Sequence, residues 1–104
     1  EIDTPNAPHG YFHIYQMYTI RVKAGKDVRD ALKSYLAKKE IMSKVYFDPV
    51  HMTQFYRERF GLNEGELPVS EKISREVLTL PLFPTLTREE MNYIIESIVE
   101  FFRK

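Results

Sequence analysis

The stretch that decides the fold is residues 87–102, TREEMNYIIESIVEFF, which has the pattern of an amphipathic helix. Thr87 and Glu90 stand three apart, the spacing of a capping box in which each side chain accepts the other residue's backbone N–H. Apolar residues then recur every three or four positions, as one face of a helix requires: Met91, Ile94, Ile95, Ile98, Val99 and Phe102. The sequence therefore predicts a helix with one apolar face.

Upstream of this helix, β-branched and aromatic residues crowd together in three runs, and such residues favour strands. The runs span residues 11–23, 41–47 and 77–80, and a proline follows soon after the second and third. In the first run both alternating faces carry apolar groups, so we expect an inner strand covered on both sides. Residues 1–10 contain two prolines and are predicted to be an irregular lead-in.

Three helices are predicted between these strands, where apolar residues take a helical spacing: residues 27–39, 52–60 and 70–76. Asp27 and Ser70 are residue types that cap helix N-termini, and Gly61 suits the end of the second helix. Residues 61–69 are predicted to be a polar connector. This order of elements predicts an α+β fold over residues 11–104, a small mixed or antiparallel sheet covered by helices.

The composition limits the classes of function. The chain has 104 residues, with 15 Lys+Arg and 15 Asp+Glu, so its formal charge at pH 7 is zero. One domain is expected at this length, and without a basic block we expect no nucleic-acid partner. No apolar run approaches the length of a membrane span, so we expect no membrane partner and a cytoplasmic location. The lack of cysteine excludes thiol catalysis and Cys-ligated zinc.

Two histidines stand at a spacing that metal sites use. His9 and His13 are four residues apart, as are two ligands on one helical face. Pro8 and Gly10 disfavour a helix there, and no carboxylate motif accompanies the pair. We therefore predict no metal site, and interpret His13 as a partly buried strand residue.

His51 follows the end of a predicted strand and lies near the start of a helix, where unpaired backbone N–H groups attract anions. The alternative is a histidine whose hydrogen bonds are satisfied by backbone. Arg57 and Arg59 lie on the following helix, where a pair of arginines can hold a phosphate. The alternative for this pair is the solvated face of a helix.

No complete catalytic set is visible in the chain. It contains no Gly-rich phosphate loop, no nucleophile elbow and no zinc-protease motif. None of its eight lysines lies in an apolar context with a basic neighbour, the setting that favours Schiff-base chemistry. Residue chemistry alone therefore predicts an incomplete catalytic set in this chain, which looks like part of a larger one.

Three segments together resemble a known enzyme family: YFHIYQMYTIRV (11–22), VYFDPVHMTQFYRERFG (45–61) and GELPVSEKISREVLTLPLFPTLTREEMNYIIESIVEFF (65–102). They resemble the C-terminal small domain of the DegT/DnrJ/StrS aminotransferases, pyridoxal-phosphate enzymes of fold type I that aminate keto sugars on nucleotide carriers. The resemblance implies that the coenzyme lysine belongs to a large domain earlier in the family's chain order. It also implies that this stretch is catalytically incomplete alone, with no catalytic residue and no cofactor-binding residue of its own.

The resemblance also suggests which residues face the substrate. His51, Tyr46, Gln16 and Tyr56 are the implied substrate-binding residues. Gln16 and Tyr46 stand where many members carry histidine, so these two keep hydrogen-bonding capacity without an ionisable imidazole. Glu40 stands where glycine is usual, and we expect it to bear a left-handed backbone conformation.

The implied partners are a large PLP-binding domain, of the same or another chain, and a nucleotide-sugar substrate. The chain begins with Glu1, which is not small enough to follow a removed initiator Met, so we expect a piece of a longer polypeptide or a trimmed N-terminus. Away from a large domain, an apolar patch would favour homo-oligomers, with these candidate members: Phe12, Tyr15, Leu82 and Phe83. A stand-alone binding, regulatory or self-associating module is the alternative.

Overall fold

A computed structural model describes residues 1–104. Its strands are β1 (Ile2–Asp3), β2 (Tyr18–Val22) and β3 (Val77–Leu80). Its helices are α1 (Lys26–Lys38), α2 (Gln54–Phe60), α3 (Pro68–Glu76) and α4 (Arg88–Arg103), with a 3-10 turn at Val50–Met52 before α2.

The three strands form one antiparallel sheet in the order β1-β2-β3. The central strand buries Ile20 and Val22 on one face, while Thr19 and Arg21 on the other are half-buried. Together with Leu32 and the other buried apolar residues, these form the core between the sheet and α1 and α4, completed by Leu36, Ile41, Leu78 and Ile94. The predicted α+β class, with a small antiparallel sheet covered by helices, is confirmed.

The prediction of a strand is wrong for residues 11–17. The pairing of β2 with β3 begins only at Tyr18, which lies opposite Leu80. Pro81, which follows Leu80, lacks the N–H that a continuing ladder needs. Tyr15 adopts φ 47°, which is left-handed rather than extended, and its N–H donates to His13 Nδ1 at 2.8 Å. Residues 11–17 are therefore β-favouring by type but have no strand to pair with.

Two further expectations about strands need correction. Residues 1–10 are not wholly irregular, because Ile2–Asp3 pairs with the C-terminal end of β2. The predicted strand at 41–47 is reduced to one bridge, in which Lys44 and Thr79 exchange both backbone hydrogen bonds, at 3.0 and 2.7 Å. A strand needs a neighbour alongside it for several residues, and in this segment the pairing ends after one.

The helices lie where they were expected, but two caps differ. α1 follows Gly25 at φ 93°, and Asp27 lies in its first turn instead of capping it. α3 begins at Pro68 after Leu67, two residues before the expected cap, because proline is favoured at the first helical position.

Three local expectations about caps and turns are confirmed. The capping box of α4 is present, with Thr87 N to Glu90 Oε2 at 2.8 Å and Glu90 N to Thr87 Oγ1 at 3.1 Å. Gly61 ends α2 at φ 63°, and Glu40 is left-handed at φ 62°. Each of these features depends on residues only a few positions apart.

Candidate functional site

The 3-10 turn and α3 are joined by a buried histidine–glutamate pair. His51 lies in the turn and is 6% exposed, and Glu71 lies in the first turn of α3 and is 5% exposed. His51 Nε2 and Glu71 Oε1 are 2.7 Å apart. Each of these buried polar side chains thus has a hydrogen-bond partner in the other, as buried polar groups require. The partner of His51 is a side chain 20 positions away, not the backbone.

Glu71 also binds the connector between α2 and α3. The backbone N–H of Gly65 donates to Glu71 Oε1 at 2.8 Å and to Oε2 at 3.0 Å. The hydrogen bond from His51 holds the pKa of Glu71 below its usual value, and the Gly65 bond adds to this lowering against the opposing effect of desolvation. One carboxylate therefore holds the turn, the connector and α3 together.

A buried arginine lies beside this pair, in an open cleft of about 340 Å³ that Glu71 also lines. Arg29 Nη1 donates to the carbonyl oxygens of Ser74 at 3.0 Å and Val77 at 2.9 Å, and its Nε donates to Asp30 Oδ1 at 2.7 Å. The positive charge of Arg29 thus lies at the C-terminal end of α3, where a cation stabilises a helix. Neither Glu71 nor Arg29 was singled out by sequence, because their partners lie 20 and 45 or more residues away.

The other three predicted site residues lie nearer the surface. Tyr46 is half-buried, with its ring 4.6 Å from that of Phe47. Tyr56 is on α2, and the centre of its ring lies 5.3 Å from that of Phe55 and 5.7 Å from that of Phe60. Gln16 is exposed in the irregular segment 11–17. No hydrogen bond or ring contact joins any two of Gln16, Tyr46, His51 and Tyr56.

The remaining candidate residues do not come together in a binding site. Arg57 and Arg59 are exposed on α2, the position of a solvated helix face. No group of three or more His, Cys, Asp or Glu side chains is arranged to hold a metal ion. None of the helices combines the length and apolar character needed to cross a membrane.

The lysines do not fit as an anchor for an aldehyde cofactor. Such a lysine must lose its proton, which requires an apolar pocket or a cationic neighbour. Seven of the eight lysines are exposed, and the half-buried Lys39 pairs with Glu100, which raises the pKa of Lys39 to about 12. That shift favours the protonated amine. No step of cofactor chemistry is therefore assigned to this chain.

The fold defines a class: an α+β domain that recurs inside larger enzymes. Spr1654 of Streptococcus pneumoniae, solved in its PLP form, aligns with a TM-score of 0.88 and 25% sequence identity over 98% of this chain and 26% of that chain. The model of the DegT/DnrJ/EryC1/StrS aminotransferase family matches residues 1–99, and the chain belongs to this family.

Curated relatives agree with this assignment. The chain is 38% identical over 101 residues to the pleiotropic regulatory protein of Geobacillus stearothermophilus, covering 96% of this chain and 26% of that protein. It is 35% identical over 91 residues to the GDP-perosamine synthase of Escherichia coli O157:H7, and the alignment covers 88% of this chain and 24% of that protein. The chain thus spans about a quarter of the length of the curated relatives it matches.

Proposed function

We propose that this chain is the small domain of a PLP-dependent sugar-nucleotide aminotransferase that aminates a keto sugar in polysaccharide or antibiotic-sugar biosynthesis. One observation supports this most: the family match covers residues 1–99, yet the chain spans about a quarter of its relatives. We take the domain to include β1, since Ile2–Asp3 belongs to the sheet. On this proposal the chain is catalytically incomplete alone.

The proposed role of the chain is to orient the substrate. Pyridoxal phosphate acts as an electron sink in transamination, and residues outside this chain would hold it. Gln16, Tyr46 and Tyr56 present hydrogen-bonding groups without a titrating imidazole, which suits contact with sugar hydroxyls and phosphates. His51, which is buried against Glu71, would position the turn before α2.

The proposed partners follow from the exposed apolar side chains. Phe12 is 91% exposed, and Tyr15, Leu82 and Phe83 are also exposed. Large exposed apolar side chains are a feature of surfaces that other protein covers. We propose that a large PLP-binding domain, of the same or another chain, covers part of this surface, and that the assembly is a homo-oligomer acting on a nucleotide sugar.

The regulatory alternative is not favoured. Its support is the name of one relative, the pleiotropic regulatory protein. The matching family is an aminotransferase family, and the other named relative is a GDP-perosamine synthase.

Reductive trapping of the coenzyme tests the proposal. The chain is incubated with pyridoxal phosphate, reduced with borohydride and mapped by mass spectrometry, beside a urea-unfolded sample as control. Because its lysines are exposed or ion-paired, we expect low labelling spread over several lysines, with a similar distribution in the unfolded control. Stoichiometric labelling of one lysine in the folded chain alone would show that the coenzyme site lies within this chain.

A further inference from the structure

The open cleft beside Arg29, which we call the Arg29 cleft, is lined by α1, by residues 48–53 and by α3. Its volume is about 340 Å³, and Pro49 and Met52 are the only apolar residues in its lining. An apolar ligand would cover the charged side chains of the cleft without pairing them, which is costly. The cleft therefore suits a small and highly polar ligand.

Arg29 supplies a buried donor that the fold leaves unused. Its Nη1 donates to two backbone carbonyl oxygens and its Nε to Asp30, but its Nη2 forms no hydrogen bond within the chain. The side chain is only 5% exposed, and buried donors normally have a partner. Lys26 also lines the cleft, and its ammonium group has three donors, of which Asp30 takes one. These groups favour a carboxylate as ligand.

The Arg29 cleft also contains acceptors that lack a donor. Asp48 is exposed, and its carboxylate takes part in none of the salt bridges of the chain. The hydroxyls of Thr53 and Ser74 donate to the carbonyl oxygens of Val50 and Glu71, each at 2.7 Å. Each hydroxyl oxygen is therefore left as an acceptor. A carboxylate together with hydroxyl oxygens suits an ammonium group as ligand.

The other charged groups of the cleft already have partners. Arg75 pairs with Glu64 at 2.8 Å, and Glu71 pairs with His51 at 2.7 Å. A ligand with only a negative group would leave the Asp48 carboxylate unpaired, and a ligand with only a positive group would leave the guanidinium donor unused. A ligand that carries both an ammonium and a carboxylate group pairs with both sets.

We propose that the Arg29 cleft binds a small or polar free α-amino acid. Arg29 Nη2 and Lys26 donate to the carboxylate of the ligand, and Asp48 and Ser74 Oγ accept from its ammonium group. An ammonium group beside a carboxylate stays protonated, so the ligand is bound here without giving up its amino group. The inference is independent of the proposed function, because none of the residues assigned to the substrate lines this cleft.

The test is an amide NMR titration of the full chain at neutral pH with glycine and L-glutamine. Acetate and methylammonium, which carry one charged group each, are titrated separately, and L-leucine tests the preference for a polar side chain. We expect saturable shifts in residues 26–29, 48–53 and 71–75 with glycine and L-glutamine. Acetate and methylammonium should each bind about tenfold more weakly or less, since each leaves one set of charged groups unpaired. L-Leucine should bind more weakly than L-glutamine.

Two variants locate the ammonium end of the ligand. Asp48→Asn should weaken the binding of glycine about tenfold, since a hydrogen bond between charged groups is lost. The same variant should not weaken the binding of acetate, which has no ammonium group. Glu96→Gln is the matched control, because it removes an exposed carboxylate on α4 that has no salt bridge and does not line the cleft. It should leave the affinity for glycine unchanged.

Four results would overturn this assignment: no saturable binding of glycine or L-glutamine, shifts confined to other residues, binding of acetate as tight as that of glycine, or equal affinity of Asp48→Asn and the unaltered chain for glycine. An equal loss of glycine binding in Glu96→Gln and Asp48→Asn would also overturn it, because the effect would then come from the overall charge of the chain. None of these results changes the lysine map obtained by coenzyme trapping, which tests the proposed function separately.

Discussion

Glu71→Ala is expected to lower the thermal unfolding midpoint of this chain by about 10 °C or more. The substitution leaves His51 buried at 6% exposure without its partner at 2.7 Å. It also removes the acceptor of the Gly65 N–H, which anchors the connector to α3. Removing one member of a buried pair destabilises strongly, because the other member keeps its desolvation cost. Circular dichroism during heating measures the shift.

Glu64→Ala is the matched control for Glu71→Ala. Glu64 also accepts from a basic side chain, Arg75 at 2.8 Å, but both side chains are more than half exposed. Exposed pairs contribute little to stability, so a shift of at most a few degrees is expected. Equal small shifts for both variants would show that the His51–Glu71 pair does not hold the turn and the connector together.

Acid should weaken the fold through the same carboxylate. The pKa of Glu71 lies below its usual value in the folded chain, chiefly because of the hydrogen bond with His51. A lowered folded-state pKa adds stability that is fully present above the unfolded-state pKa and is lost as the pH falls through the folded-state pKa. The contribution of Glu71 is therefore present at neutral pH and disappears in the acid range below the usual glutamate pKa of 4.5.

Urea unfolding at several pH values measures this acid dependence. Asp3, Asp30 and Glu100 also have lowered pKa values from nearby lysines, so the whole chain loses stability in acid. The decisive quantity is the difference in the free energy of unfolding between the unaltered chain and Glu71→Gln. This difference should be largest at neutral pH and should shrink in acid. A difference that stays constant down to about pH 3 would contradict this role for Glu71.

The sequence predicted those parts of the fold that depend on neighbouring residues. The Thr87–Glu90 box and the Gly61 turn each lie within a few positions, so their residue types suffice. Strand pairing depends on distant residues, and this is why the prediction for the β-favouring segment 11–17 is wrong. Its possible partner ends at Pro81, more than 60 positions away, and single-residue preference contains no information about that.

The candidate site shows the same contrast between features set by neighbouring residues and features set by distant ones. Sequence and resemblance singled out His51, but its partner Glu71 and the Gly65 contact became visible only when the turn and α3 were placed together. The left-handed Glu40 was expected because glycine is usual at its place, and the structure confirms it.

A chimera tests most directly whether this chain is the small domain of a sugar aminotransferase. The segment of the Escherichia coli O157:H7 GDP-perosamine synthase that aligns with this chain over 91 residues is replaced by the matching segment of this chain. Coenzyme absorbance and amination turnover are then measured beside the parent enzyme and the parent lacking that segment. We predict that the chimera binds coenzyme and retains measurable turnover, and that the shortened parent has none. A folded, coenzyme-loaded chimera without turnover would contradict the account.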